Sequence, residues 1–372
     1  MATAKLIIAS SLNSDMRYAA KANLPDPFIY LEVNGHGHVF VDSREYDWCQ
    51  EHCPESIAVH LTDGMLKKLP KQRPLGRYQV HLAGLICRQR KIKNILMTPE
   101  ADSGDVEVLR QVYKIKVKLQ YPLFPKREIK SPSEVKEIKK VAEGTVKAFS
   151  FIKKVLRDSK ISSDKKLRYK GKPLTSEWLK KEISHIFLDY NLDLQHGMII
   201  SGGRQAAIPH HPGYGVLKAH QSIVCDIFPR SSQSGYFFDM TRTFCKGEAP
   251  KKLVAMHQAV LRGQQLGLDM VKSGVPGYII HQAIHTYFKD LGFETKNTEG
   301  FTHGTGHGVG LDIHEAPTIG ELKKSLPLGS VVTVEPGLYY KRFGGVRIED
   351  TVLVTKSGHK EFVQFPKSFL VK

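Results

Sequence analysis

The sequence HGTGHGVGLDIHE occupies residues 303–315 and is the stretch from which the rest of the chain is most readily interpreted. Three of its residues are histidines, and four glycines lie at alternate positions. Such glycines let a backbone lie very close to another strand or to a ligand. Histidine offers a neutral nitrogen ligand, or a proton carrier near neutral pH. The segment therefore predicts a closely packed backbone in which His307 is a candidate metal ligand.

Two aspartates lie upstream in strand-like sequence. Asp226 is in SIVCDIF and Asp239 is in GYFFDMTRTF, and the polar stretch SSQSG joins the two. A hairpin folded about that linker would place the two carboxylates opposite each other across an antiparallel pair. The sequence thus predicts an acidic pair on one face of a hairpin.

A second acidic pair follows downstream. Glu335 is in VVTVEPG and Glu349 is in GGVRIED, and KRFGG lies between these stretches. The paired glycines can adopt the positive φ angles that a tight turn requires. These two carboxylates are also expected to meet across a hairpin.

Together these residues make a set of hard metal donors, in which four carboxylates accompany one imidazole: Asp226, Asp239, His307, Glu335 and Glu349. Such a set suits Mn²⁺, Co²⁺, Zn²⁺ or Fe²⁺ better than it suits a thiolate-type structural zinc site. Clustered carboxylates raise one another's pKa unless counter-charge is present, and two divalent cations would supply it. A single acid on a strand is usually just solvated, so the metal hypothesis depends on the five together.

These motifs resemble those of the pita-bread metallopeptidases, and within them the proline-peptidase branch of Xaa-Pro aminopeptidases and prolidase-like Xaa-Pro dipeptidases. Residues 303–315 resemble the histidine signature of that branch. The other resemblances are to its DxTRT, EPG and RIED motifs, at Asp239–Thr243, Glu335–Gly337 and Arg347–Asp350. One departure is the sequence Ile227-Phe228-Pro229 after Asp226, which lacks the usual glycine. The link to the second aspartate is also about two residues longer, an insertion that preserves the alternation of faces.

The resemblance implies a dinuclear-metal exopeptidase, with Mn²⁺ as the favoured metal, that hydrolyses the Xaa-Pro bond at the N-terminus of a peptide. Its nucleophile would be a metal-bridging hydroxide. Asp239 and Glu349 would bridge the two ions, Asp226 would complete one of them, and His307 with Glu335 would complete the other. Glu335 would also act as the general base. The preference for proline comes from the resemblance alone, and it leaves the choice between a dipeptidase and an aminopeptidase open.

Four further residues gain roles from the same resemblance. His314 would hold the scissile carbonyl oxygen, and His303 would line the proline side of the pocket. His210 would face the scissile nitrogen, with His211 as the competing candidate. Arg347 would anchor either the metal-binding carboxylates or a substrate carboxylate. Eight other histidines are interpreted as surface or packing residues: His36, His38, His52, His60, His81, His257, His281 and His285.

The chain is expected to be α+β with two domains. Residues 129–372 would form the pita-bread (creatinase/aminopeptidase-like) catalytic domain, and residues 1–128 a smaller α/β domain. Apolar stretches in the latter suggest a mixed sheet: LIIAS, PFIYLEV, HVFVD, SIAVHL and KNILMT. A capping Ser131, Pro132 and Glu134 predict a long helix that runs to about residue 157. Further helices are expected at about 176–190, 249–272 and 276–291, and the basic segment 158–174 is interpreted as a solvated loop.

The chain carries a net charge of +18. Residues 126–172 hold 16 of its basic and 6 of its acidic side chains, and therefore contribute +10. Such a surface leaves one alternative open, a non-catalytic pita-bread protein that contacts ribosome, RNA or protein. No RNA-binding or zinc-finger motif accompanies the charge, so nucleic acid is not the expected partner. Proline-containing peptides are the expected substrates, and the resemblance suggests a homodimer.

The cysteines and the apolar runs bear on the compartment. Five cysteines form no CxxC pair, and the apolar run in MATAKLIIASS is too short for a signal peptide. No stretch approaches the length of a membrane span. These observations favour a cytoplasmic protein without a membrane partner.

Overall fold

The computed structural model describes residues 4–69 and 76–372. The chain divides into two compact units, Met1–Arg127 and Glu128–Lys372. The domain boundary expected from the sequence lies one residue from this division.

The first unit is a mixed sheet with helices. Its strands follow the order β4-β3-β2-β1-β5-β6, in which β1, β2 and β3 pair antiparallel and the other neighbours pair parallel. The strands are β1 (Ala4–Ala9), β2 (Phe28–Val33), β3 (His36–Val41), β4 (Ile57–Leu61), β5 (Asn94–Met97) and β6 (Lys116–Leu119). The helices are α1 (Ser14–Ala20), α2 (Tyr46–His52), α3 (Asp63–Leu66), α4 (Tyr78–Gln89) and α5 (Ser103–Gln111).

The five apolar stretches named above become β1 to β5, and the prediction of a mixed sheet is confirmed. The sixth strand was not predicted. Its sequence, KVKL, places lysines on either side of one buried residue, Val117, and is too short to show a periodic pattern.

The helices of the second unit follow their sequence signals closely: α6 (Pro132–Asp158), α7 (Ser176–Asp189), α8 (Lys251–Met270) and α9 (Gly277–Asp290). A capping box starts α6, because the Ser131 side chain accepts from the Glu134 N–H while the Glu134 carboxylate accepts from the Ser131 N–H. The Thr175 hydroxyl caps α7 by accepting from the N–H of Trp178. All four predicted helices are confirmed, with ends within two residues of those expected.

The strands of the second unit are spread over both of its halves. They are β7 (Lys160–Ile161), β8 (Leu167–Tyr169), β9 (Lys172–Pro173), β10 (Leu192–Asp193), β11 (Ile199–Gly202), β12 (Ile223–Ile227), β13 (Arg230–Ser231), β14 (Met240–Lys246), β15 (Gly306–Gly308), β16 (Glu315–Ile319), β17 (Val331–Val334), β18 (Gly337–Tyr340), β19 (Gly344–Arg347), β20 (Asp350–Val354), β21 (His359–Glu361) and β22 (Leu370–Val371). Two sheets dominate, β11-β12-β14-β22 and β16-β15-β17-β20-β21. Apolar side chains of α8 and α9 pack on the second sheet in one buried cluster, which fixes the strands that supply the site.

The basic segment 158–174 is not the solvated loop that the sequence suggested. It forms the three-stranded sheet β7-β8-β9, in which Leu167 is fully buried. Lys165, Lys170 and Gly171 adopt positive φ in its turns. The segment is rich in lysine, and only one side chain in its middle points into the core. Its sequence therefore shows no alternation of apolar and polar residues that would predict strands.

The part of the chain described above contains no helix long and apolar enough to cross a membrane.

Candidate metal centre

The two aspartates come from neighbouring antiparallel strands, as the sequence predicted, but in a different register. Asp226 on β12 lies opposite Thr241 on β14, and Asp239 lies just before β14 begins. Because side chains alternate, Asp239 and Thr241 share one face, and Asp226 therefore has Asp239 as a diagonal neighbour on that face. The expectation that the two carboxylates stand directly opposite each other is wrong by one diagonal step. Both nevertheless line the same cavity.

The two glutamates meet as predicted. Val334 pairs with Asp350 at one end and Gly337 pairs with Arg347 at the other, so the same register sets Glu335 opposite Glu349. The turn between β18 and β19 uses Gly344 at φ 109°, a conformation that favours glycine. A side chain on the adjacent Gly345 would meet the carbonyl oxygen of Ala206 at 1.8 Å. The paired glycines thus serve one turn and one close approach.

His307 lies on β15, between two glycines that have no room for a side chain. A Cβ atom on Gly306 would lie 2.0 Å from the carbonyl oxygen of Thr333, and one on Gly308 would lie 2.4 Å from that of Ala316. This confirms the close backbone approach that the sequence predicted. The approach holds the His307 ring against the acids: its Nε2 is 3.3 Å from Glu335 Oε1 and 3.8 Å from Asp239 Oδ2.

The protonation of His307 follows from its contacts. Its Nδ1 faces the carbonyl oxygen of Gly308 at 3.2 Å, and because a carbonyl can only accept, Nδ1 carries the proton. Nε2 therefore directs a lone pair at the carboxylates. Burial lowers the pKa of His307 to about 3, so the ring is neutral at physiological pH.

The pKa values of the carboxyl groups shift upward, in the opposite direction to that of His307. Burial, followed by repulsion from Glu349 and Asp226, raises the pKa of Asp239 well above its usual range. Burial and Glu335 likewise raise the pKa of Glu349. Burial raises the pKa of Glu335 to about 8. Without added positive charge, these acids cannot all be ionised together at neutral pH.

The arrangement fits divalent cations. Asp239, His307 and Glu349 each offer one ligand atom, and these atoms lie within 4.8 Å of one another. Two buried oxygens, Asp239 Oδ1 and Glu349 Oε1, have no hydrogen-bond partner among the described residues. The lone pair of His307 Nε2 and these carboxylate oxygens repel one another. A bound cation would be coordinated by them and would remove that repulsion.

Arg347 is fixed beside this centre. Its guanidinium, 3% exposed, donates to Asp226 Oδ2 at 2.6 Å and to the hydroxyl of Tyr339 at 2.8 Å. His303 extends the chain of contacts. Its Nδ1 donates to the carbonyl oxygen of Gly304 at 2.7 Å, so its Nε2 accepts from the Tyr339 hydroxyl at 2.9 Å. Of the two roles considered for Arg347, this geometry supports the anchoring of a metal-binding carboxylate.

His210 and His211 differ in what they face. His210 is exposed on a loop that follows a short 3₁₀ turn, and it lines the cavity that contains the acids. His211 does not line that cavity, and its Nδ1 accepts a hydrogen bond from the Gly213 N–H at 2.9 Å. Lys180 donates to the Gly213 carbonyl oxygen at 2.9 Å and fastens the loop. These contacts favour His210 as the active-site histidine.

All of the sequence-predicted site residues line one cavity of about 1160 Å³: His210, Asp226, Asp239, His303, His307, His314, Glu335, Arg347 and Glu349. The ring of His314 lies edge-to-face against that of His307, with centroids 4.2 Å apart. His281 and His285 line the same cavity, so their interpretation as surface or packing residues missed this position.

A comparison with known protein families identifies the chain. The sequence profile of "Metallopeptidase family M24" matches residues 136–356, which is more than half of the chain. The chain belongs to metallopeptidase family M24. The resemblance stated from the motifs is thereby confirmed.

Several curated relatives carry the names of proline peptidases. A Mycoplasma genitalium protein, provisionally named Xaa-Pro aminopeptidase, is 33% identical over 234 residues, which cover 62% of this chain and 61% of the relative. The Xaa-Pro dipeptidase of Pyrococcus furiosus is 33% identical over 174 residues, 46% of this chain and 48% of the relative. The matched segments thus span about half to three fifths of these relatives.

Solved structures extend the likeness in fold over the whole chain. The X-Pro aminopeptidase of Thermotoga maritima covers 100% of this chain and 98% of its own, with a TM-score of 0.80 and 22% identity. The prolidase of Pyrococcus horikoshii covers 99% and 95%, with a TM-score of 0.78 and 23% identity. The predicted pita-bread fold, preceded by a smaller α/β unit, is confirmed.

Several residues that organise this M24 centre were not singled out from the sequence. Thr241 has its hydroxyl 2.8 Å from Asp226 Oδ1 and 2.6 Å from Glu349 Oε2. Arg242 is buried, and it donates to the carbonyl oxygen of Glu349 at 2.5 Å and to Asp350 Oδ1 at 2.6 Å. Thr241 and Arg242 lie inside the DxTRT motif, and Asp350 lies inside the RIED motif. These motifs were the sequence signal that could have identified the three residues. Tyr339, between Arg347 and His303, had none.

Proposed function

We propose that the chain is a dinuclear-metal-dependent exopeptidase that hydrolyses the Xaa-Pro bond at the N-terminus of peptides. The observation that supports this best is the convergence of Asp239, His307 and Glu349 in a buried, donor-poor centre of an M24 protein. The names of the curated relatives and of the solved structures add the proline preference. The non-catalytic alternative is not favoured, because none of the five expected donors is missing from the cavity.

The proposed ligand set is the one that the resemblance implies, and all of its members line the cavity. Asp226, Asp239, His307, Glu335 and Glu349 would together hold the two ions. When bound, the ions, with Mn²⁺ expected, would supply a water of lowered pKa and positive charge beside the scissile carbonyl oxygen. Thr241 and Arg347 hold Asp226 in place through hydrogen bonds of 2.8 and 2.6 Å. Orientation of a ligand by such neighbours is a general feature of metal sites.

Proton transfer is assigned to Glu335. Its buried carboxyl has a pKa of about 8, and nearby positive charge would lower that value toward neutrality. A group in this range can accept a proton from the attacking water and return it to the leaving nitrogen. The nitrogen of an Xaa-Pro bond carries no hydrogen, so it needs that proton to leave as a secondary amine.

Three histidines complete the pocket. Burial, and then the neighbouring His210, lower the pKa of His314, so a neutral ring can donate one N–H to the carbonyl oxygen as negative charge develops. His210 would face the scissile nitrogen. His303 would lie against the proline ring, held in one orientation by Gly304 and Tyr339.

The test combines metal removal with one substitution. Chelation should abolish hydrolysis of Ala-Pro-Ala, and Mn²⁺ or Co²⁺ should restore it. Glu335→Gln should lower kcat by about 100-fold or more, the range typical of a lost general base. Glu294→Gln, at an exposed glutamate outside the cavity, is the matched control and should keep full activity. Metal content is measured on every sample. Full activity of the chelated protein, or of metal-loaded Glu335→Gln, would contradict the mechanism.

The homodimer, the choice of manganese and the cytoplasmic location stay predictions. Sedimentation of the purified chain would test the first, and metal analysis of protein purified without chelator would test the second.

A further inference from the structure

The cavity is larger than an Xaa-Pro dipeptide requires. Its volume is about 1160 Å³, whereas pockets of roughly 300–1,000 Å³ hold whole drug-sized ligands. The metal donors line only part of it. The remainder includes a group of side chains that we name the distal wall: His281, His285, Thr295, Asn297 and Glu321.

A row of rings connects the centre to the distal wall. His303 meets Phe301 edge-to-face with centroids 5.4 Å apart, and Phe301 meets His281 at 5.2 Å. His285, one turn further along α9, follows at 6.4 Å from His281. All four residues line the cavity. Because His303 is assigned to the proline side, the row leads away from the scissile bond on the side of the leaving group.

The charges along this route do not suit a carboxylate beside the proline. Among the described residues that line the cavity, Arg347 is the one arginine or lysine, and its guanidinium is already bonded to Asp226 and Tyr339. Burial, followed by His285, lowers the pKa of His281, so that ring is neutral. Glu321 adds a negative charge to the wall. A dipeptide, whose free carboxylate follows the proline directly, would meet repulsion there without a free cation to offset it.

A continuing peptide suits the same wall. The uncharged amide of Asn297 and the ring nitrogens of His281 and His285 offer hydrogen-bond donors and acceptors, which match backbone amides. We propose that the distal wall binds the part of the peptide that follows proline, so that the chain acts on Xaa-Pro peptides of three or more residues in preference to Xaa-Pro dipeptides. This inference rests on the proposed function and specifies its substrate class.

The experiment compares Ala-Pro, Ala-Pro-Ala and Ala-Pro-Ala-Ala with the full chain in the presence of Mn²⁺. The value of kcat/KM should rise by at least about tenfold from the dipeptide to the tetrapeptide, as expected for one or two well-placed contacts. His285→Ala should lower the ratio of the tetrapeptide value to the dipeptide value, chiefly through KM. Asn297→Ala, in an exposed loop, should do the same and guards against a folding defect in α9.

Gln282→Ala is the matched control, since it changes an exposed position of the same helix that does not line the cavity. Its ratio should equal that of the wild type. Dipeptide cleavage as fast as tetrapeptide cleavage, or an unchanged ratio in both wall variants, would overturn the inference while the proposed function stands. Failure to cleave any of the three peptides would overturn both.

Discussion

Thr241 illustrates how one hydroxyl organises two carboxylates. It lies within hydrogen-bond distance of both Asp226 and Glu349, and Arg347 Nε donates to it at 3.2 Å. A hydroxyl has a single proton, so it can donate to one carboxylate and must accept from the other. The raised pKa of Glu349 identifies that residue as the protonated partner when no cation is bound. Thr241 thus holds both acids in the metal-free chain, whereas with both acids ionised around a cation its single proton can be donated to only one of them.

Replacement of this hydroxyl should weaken metal binding more than it weakens the fold. Thr241→Val keeps the shape of the side chain and removes the hydrogen bonds to both acids. We expect the dissociation constant for Mn²⁺ to rise by about 10- to 100-fold, the usual effect of a lost partner of a metal ligand. Isothermal titration of chelated, dialysed protein measures it.

The matched control is Thr243→Val, two residues along the same strand. The Thr243 hydroxyl bonds the backbone of Arg347, at 2.8 and 3.0 Å, and contacts neither acid. Its replacement should change the dissociation constant by less than about threefold, since no metal ligand loses a partner. Equal effects of the two substitutions would show that Thr241 acts only through packing.

The sequence singled out the candidate metal donors but not their hydrogen-bond partners. The candidate donors lie in motifs whose residue types are typical metal ligands: Asp226, Asp239, His307, Glu335 and Glu349. The contact between Thr241 and Asp226 depends on which residues of β12 and β14 face each other, and on the approach of a third strand more than a hundred residues away. Local sequence does not encode such distances.

At the scale of elements, local sequence signals predicted where helices begin, but they did not predict the register between paired strands. The capping box at Ser131 predicted α6 because its determinants lie within four residues. The pairing of β12 with β14 was also anticipated, but a fold about the middle of the linker placed Asp239 opposite Asp226. Pro229 cannot donate to a ladder, and Arg230–Ser231 pairs with β10 instead, so the linker does not form a simple symmetric hairpin.

A buried ion pair joins the start of α6 to the strand that follows His314. Lys130 Nζ lies 2.5 Å from Glu315 Oε1, and the two side chains are 1% and 9% exposed. Lys130→Met would remove this ammonium group from the buried Glu315 carboxylate. We expect the free energy of unfolding to fall by about 3–5 kcal/mol, as for other broken buried pairs. Denaturant titration followed by tryptophan fluorescence measures the change.

A surface pair in α6 provides the control. Lys140 and Glu137 lie 2.6 Å apart, but their side chains are 60% and 29% exposed. Solvent screens such a pair, so Lys140→Met should cost less than about 1 kcal/mol. Lys130→Met with a loss no greater than that of Lys140→Met would show that Glu315 finds another stabilising partner.

At the scale of the whole molecule, metal binding and stability are coupled through protons. In the metal-free chain the pKa of Glu335 is raised to about 8, and those of Asp239 and Glu349 are raised as well. A carboxyl whose pKa is higher in the folded than in the unfolded chain stabilises the fold below its unfolded pKa, about 4.3 for glutamate. That contribution is lost as the pH rises through the folded pKa. Because metal ligands must be deprotonated, the affinity for Mn²⁺ should increase as the pH rises through the same range.

The two effects act in opposite directions on the two forms of the protein. Between pH 5.5 and 8.5 we expect the unfolding temperature of chelated protein to fall relative to that of Mn²⁺-loaded protein, so the difference between their Tm values should widen as the pH rises. Scanning calorimetry at fixed Mn²⁺ concentration measures that difference. In Glu335→Gln the amide does not titrate, so the widening should be smaller than in the wild type. A difference in Tm that stays constant across this pH range would mean that the buried acids do not exchange protons for metal.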